Sequence, residues 1–132
     1  MSMKMDSRSF NRPDEIRRFE KGWIEVVTHD GVTLGRCHFE PGWRWSASVK
    51  PLVRTESCQT HHLLFHISGR LRVRMNDGSE AEFGPGDVSR LPPGHDAWVV
   101  GNETVVVIDI KGGIGYAKHN SDEVMRCDPA GH

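Results

Sequence analysis

With 132 residues the chain can build one ordinary domain but not two full cores. Its 17 basic and 18 acidic side chains leave a formal charge of -1, so there is no positive field to hold nucleic acid or an anionic membrane, and neither is expected as a partner. Residues 1–20 lack an apolar run, and no later one approaches the roughly 18–20 residues that cross a bilayer, which predicts a cytoplasmic protein.

The opening residues, 1–15, have no apolar period and are expected to form a flexible arm. Ile16 and Phe19 fit either a short helix or an edge strand. Residues 23–28 are β-branched and aromatic, His29-Asp30-Gly31 reads as a turn, and residues 32–39 resume an extended pattern, which together predict a hairpin. Trp43-Arg44-Trp45-Ser46 alternates aromatic and polar side chains and is expected to be a strand, followed by a loop containing Pro51.

Further along, the stretch 56–69 runs into an alternating strand at 70–75, and turns are expected at Asn76-Asp77-Gly78, Gly84-Pro85-Gly86-Asp87, Pro92-Pro93-Gly94 and Gly101-Asn102-Glu103. The segments between those turns are short strands, and residues 104–110 are β-branched enough to be covered on both faces. Residues 112–132 form a polar tail expected to carry a short helix or to be partly disordered. Strands follow one another without crossover helices, so the fold class is all-β, an antiparallel barrel or sandwich over residues 16–111.

Three of the eight histidines, His61, His62 and His66, fall in one stretch with Cys58. On an extended strand His62, Leu64 and His66 share one face, while His61, Leu63 and Phe65 share the other. Cys37, Cys58 and Cys127 are an odd, widely spaced set, expected to be reduced thiols. Arg70, Arg72 and Arg74 make a one-sided row that reads as a solvated strand face. The chain contains no nucleophile elbow, P-loop, C-x-x-C pair or H-E-x-x-H, so the chemistries those motifs carry have no support.

Gly86, Pro92 and Gly94 match G-x5-P-x-G, and Gly69 matches the glycine that closes a preceding H-x-H…E…G motif; on these residues the chain resembles the cupins, jelly-roll β-barrels. The resemblance does not extend to the family's metal ligands. Ser57 and Gln59 stand at the two early histidine positions, His62 at the glutamate and Ala97 at the last histidine. The combination of 40–46, Cys58-Gln59 with His62, and 92–98 is similar to a group of small bacterial cupin-domain proteins, some attached to signalling domains.

That resemblance turns His62 toward the barrel lumen, with His66 sharing the interior, and implies a ligand pocket of His62, Leu64, His66, Gln59, Trp45 and Trp98. Cys58, His62 and His66 could hold one divalent metal, Zn, Ni, Co or Fe, with His95 and His38 in reserve. Three functions are expected to compete. The first is a sensing or regulatory protein that binds a small molecule in the lumen. The second is a metal-dependent enzyme of dioxygenase, isomerase or lyase type acting on a small organic acid, with His66 or His95 as base. The third is a purely structural module. A homodimer is expected both from the resemblance and because Val105-Val106-Val107-Ile108 needs cover.

Overall fold

The Asp30-Gly31 pair sets the first hairpin. Both residues take positive φ, 54° and 78°, the twist that joins two antiparallel strands most tightly. In the computed structural model, which describes residues 4–50 and 62–110, this turn links β2 (Gly22–His29) to β3 (Val32–Phe39). Before them β1 (Glu15–Phe19) resolves the helix-or-strand alternative: it is a strand that, among the described residues, pairs only with β2 at the edge of its sheet. The expected arm is tied down at its end, where Asp14 N–H donates to Val26 O (2.8 Å) and Asp14 Oδ2 accepts from Thr28 N–H (2.8 Å).

After the single helical turn α1 (Trp45–Ser48), the chain continues as β4 (His62–Ser68), β5 (Arg70–Met75), β6 (Glu80–Phe83), β7 (Val88–Leu91), β8 (His95–Val100) and β9 (Val105–Ile110). Two sheets result, one in the order β1-β2-β3-β9-β4-β7 and one in the order β6-β5-β8, and every pairing is antiparallel. This is the all-β antiparallel arrangement that the strand pattern predicts and the jelly roll that the resemblance implies. No helix among the described residues is long and apolar enough to cross a membrane.

The inner faces of the two sheets close on one core. Ile24, Leu64, Val105 and Val107 come from the larger sheet and Leu71, Val73, Ala97 and Val99 from the smaller. Full burial of each such aliphatic side chain is worth about 1.5–3 kcal/mol. Gly69 lets the chain pass from one sheet to the other. Its φ is +72°, and a Cβ there would lie 2.8 Å from Thr104 O and from Val105 Cα, so any side chain would push β4 off β9.

Two expectations change. Residues 43–46 do not form a strand: Arg44 makes one isolated bridge to Trp98, and Trp45–Ser48 turns into α1. The cause is Asp96, whose Oδ1 accepts from Ser46 N–H (3.1 Å) while Oδ2 accepts from Arg44 Nε (3.3 Å), a carboxylate holding the start of a turn. The arginine row of β5 is solvated, as expected, but it is also paired. Arg70, Arg72 and Arg74 each meet Glu80 or Glu82 of β6.

Candidate functional site

Alternation along β4 sends His62, Leu64 and His66 inward, at 5%, 5% and 1% exposure, and leaves Leu63, Phe65 and Ile67 outside. On β8 the same rule turns His95, Ala97 and Val99 inward. Together with Asp109 of β9 and Trp43 and Trp45 around α1, His62 and His95 wall a cavity of about 30 Å³ between the sheets. Cys37, Leu64 and Val107 complete much of its lining. The space admits a water or a molecule of a few non-hydrogen atoms.

Each imidazole at the cavity has one nitrogen fixed. His62 Nδ1–H donates to Asp109 Oδ2 (2.8 Å), and His95 Nδ1–H donates to the backbone oxygen of Pro92 (2.7 Å). A carbonyl can only accept, so His95 carries its proton on Nδ1 and presents a lone pair on Nε2. The two rings meet edge to face with centroids 5.3 Å apart. Burial, reinforced by the charge of His62 and opposed by the Pro92 hydrogen bond, lowers the His95 pKa to about 3, so that ring is neutral at physiological pH.

Trp43 and Trp45, at 2% and 1% exposure, reach this wall through contacts with β8. Val99 N–H donates to Trp43 O (3.1 Å), and Asp96 anchors the start of α1. Trp43 also stacks on Phe39 at 4.0 Å. Neither indole N–H has a hydrogen-bond partner among the described residues, and a buried donor left unmet costs about 1–3 kcal/mol.

His66 shares the lumen but not the cavity wall. Its Nε2 shares a hydrogen bond with Ser89 Oγ (2.8 Å), its ring lies 5.3 Å from that of Phe83, and its Nδ1 has no partner among the described residues. Burial lowers its pKa against the pull of Asp87. The expected set of Cys58, His62 and His66 is not brought together by what is described: His66 is not on the cavity wall that His62 shares, and Cys58, like Gln59 and His61, lies outside the described residues.

The reserve ligands divide. His95 is at the cavity, whereas His38 is on the outer face of β3, stacked on Trp23 at 4.3 Å and bonded through Nε2 to Glu25 Oε1 (2.7 Å). Trp98, expected in the pocket, has the opposite parity to His95 and Ala97 and lies outside the barrel beneath the Arg44 guanidinium, 4.2 Å from its ring centre. No group of three or more His, Cys, Asp or Glu among the described residues is placed to hold a metal. Cys37 does not supply a ready thiolate, because burial, then Asp109 and Glu25, push its pKa well above the ordinary thiol value.

Asp109 is the site residue that the sequence reading missed. Its signal was a lone acid in Val105-Val106-Val107-Ile108-Asp109-Ile110, at the parity of the buried Val105 and Val107. An acid on the buried parity of an apolar strand must have a partner, and His62 is one.

No protein-family model matches the sequence, and no curated protein does. Solved structures do match in fold. A protein of unknown function from Rhizobium leguminosarum superposes with a TM-score of 0.57 at 20% identity, over 82% of this chain and 96% of that one. An oxalate decarboxylase from Lactobacillus farciminis, in a formate complex, gives 0.54 at 16% identity over 77% of this chain, which spans only 32% of that enzyme's chain. The cupin domain of Cnp3 from Schizosaccharomyces pombe gives 0.52 at 12% identity, over 73% of this chain and 66% of that one. The sheet order, the inward-facing core and these likenesses agree: the chain is a small antiparallel jelly-roll barrel of the cupin fold.

Proposed function

We propose that the protein binds a small hydrogen-bond-accepting molecule in its lumen, of the size and chemistry of a short carboxylic acid, and serves in sensing or regulation. The observation that carries this reading is the pair of buried indole N–H groups of Trp43 and Trp45, residues that line the cavity with His62, His95 and Asp109, neither N–H having a partner among the described residues. Two donors in need of acceptors favour a ligand oxygen, and the His95 Nε2 lone pair complements a ligand O–H.

Binding is favoured over turnover by the state of the two candidate bases. A general base works best with a pKa near the working pH, and His95 at about 3 is too weak a base to take a proton efficiently at neutrality. His66 is shifted the same way and stands off the cavity.

The test is a thermal-shift and calorimetric screen of formate, acetate, glycolate, glyoxylate and their amides at millimolar concentration. At least one should raise the melting temperature of the wild-type protein, and Trp45→Phe, which keeps a ring but deletes the N–H, should weaken that ligand by about tenfold, the worth of one hydrogen bond. If every compound leaves the melting temperature unmoved, the lumen is not a binding site for this class.

A further inference from the structure

Four titratable groups face the cavity from the described elements: Cys37 on β3, His62 on β4, His95 on β8 and Asp109 on β9. β5 and β7 turn Leu71 and Leu91 toward it, and Trp43 and Trp45 come from the chain around α1. No Lys or Arg is among these described lining residues. Asp109 is bonded to His62 (2.8 Å), and however a proton is shared between them, one imidazole and one carboxylate leave no surplus positive charge for an incoming anion. His95 repels an anion outright: with Nδ1–H given to Pro92 O (2.7 Å), its Nε2 lone pair needs a hydrogen. The indole N–H groups of Trp43 and Trp45, donors without partners among the described residues, are themselves uncharged.

Given the lumen ligand proposed above, we infer that it binds uncharged, as an undissociated carboxylic acid or a primary amide whose hydrogen goes to His95 Nε2 and whose carbonyl oxygen accepts from an indole N–H, an inference that rests on that reading. An acceptor and two donors around one small space match a group that carries a hydrogen and a carbonyl oxygen on the same carbon. A carboxylate has no hydrogen for His95, loses its hydration on entry, and meets the charge of Asp109 between walls of Leu64, Leu71, Leu91 and Val107. The hydrogen stays with the ligand, because His95, at about 3, is a weaker base than a short carboxylate, at about 4. Occupancy by an acid therefore rises with acidity through the ligand's own titration, and a sensing protein of this build reads acid concentration and pH together.

Calorimetry on the wild-type full chain tests this with three molecules of equal size and nearly one shape: acetate, acetamide and acetone. From about pH 5.5 to about pH 7.5, where neither Cys37 nor His95 changes charge, acetate should weaken about a hundredfold relative to acetamide, as its undissociated fraction falls. Acetamide cannot ionise, so its affinity registers any titration of His62 or Asp109 and serves as the internal reference. Acetone accepts a hydrogen bond but has no hydrogen for His95, and should bind about tenfold more weakly than acetamide at every pH, the worth of one hydrogen bond. Acetate that keeps pace with acetamide across the range, or acetone that equals acetamide, overturns the inference while leaving the lumen a binding site. If none of the three binds at millimolar concentration, the inference falls together with the reading beneath it.

Discussion

Around His62 and His95, the Nδ1 of each ring is tied to an acceptor, Asp109 or Pro92 O, and the space between the rings is open to a small cavity. Around His66, one nitrogen is tied to Ser89, the other has no partner among the described residues, and Phe83 closes over the ring. Both regions bury imidazole on the same inner face of the larger sheet, only four positions apart on β4. Burial alone therefore does not distinguish a site from a core. What differs is the company kept: unmet indole donors and a cavity at one place, close packing at the other.

The comparison breaks most severely at Asp109. Asp109→Ala removes an acceptor for a buried imidazole N–H and should cost up to about 3 kcal/mol, measured by urea denaturation, as an unmet buried donor does.

Acid separates the two regions next. An unfolded histidine titrates near pH 6.5 and folded His95 at about 3, so the unfolded state binds the extra proton between those values. Stability is complete above about pH 6.5 and should fall by about 1.4 kcal/mol per pH unit as the pH drops toward 3, with His66 adding to the loss because its pKa is shifted in the same direction. His95→Asn keeps a donor for Pro92 O without a titrating ring. Its stability between pH 6.5 and 5 should be flatter than that of the wild type, and an unchanged slope would show that His95 is not buried neutral.

Smaller effects sharpen the packed region. Ser89→Ala strips the remaining partner from His66 and should cost about 1–3 kcal/mol, whereas the double substitution His66→Leu with Ser89→Ala removes both polar groups and should come within about 1 kcal/mol of wild type. A double variant as unstable as the single one would mean that His66 has a role beyond filling space.

The sheet architecture was legible because its signals are local. Asp30-Gly31, Gly78, Gly86, Gly94 and Gly101 all have positive φ, and each lies between strands where a turn is read from the sequence. Alternation put His62 and His66 on one face of β4, and the resemblance turned that face to the lumen, where both are buried. The site was only partly legible, since partners depend on contacts across sheets. The bond from His62 to Asp109 spans 47 positions, and that from His66 to Ser89 spans 23. Trp98 went to the wrong side for a different reason: being aromatic and near His95 outweighed the parity that β8 shares with every other strand here. Trp43-Arg44-Trp45-Ser46 looked like a strand because its alternation was real, but Asp96, fifty positions from Ser46, caps it into a turn.

β4 is written on both sides. Its even-numbered residues, His62, Leu64 and His66, face the lumen, and its odd-numbered ones, Leu63, Phe65 and Ile67, make the apolar outer face, with an irregularity against β9 between His66 and Ser68. Two properties that a protein engineer would wish to vary separately, the pocket and the exterior, are thus interleaved in one seven-residue sentence. Point substitutions can edit either reading alone, but a one-residue insertion or deletion within the strand exchanges them, turning imidazoles to solvent and a phenyl ring into the cavity. Changes of length between His62 and Ser68 should therefore be rejected.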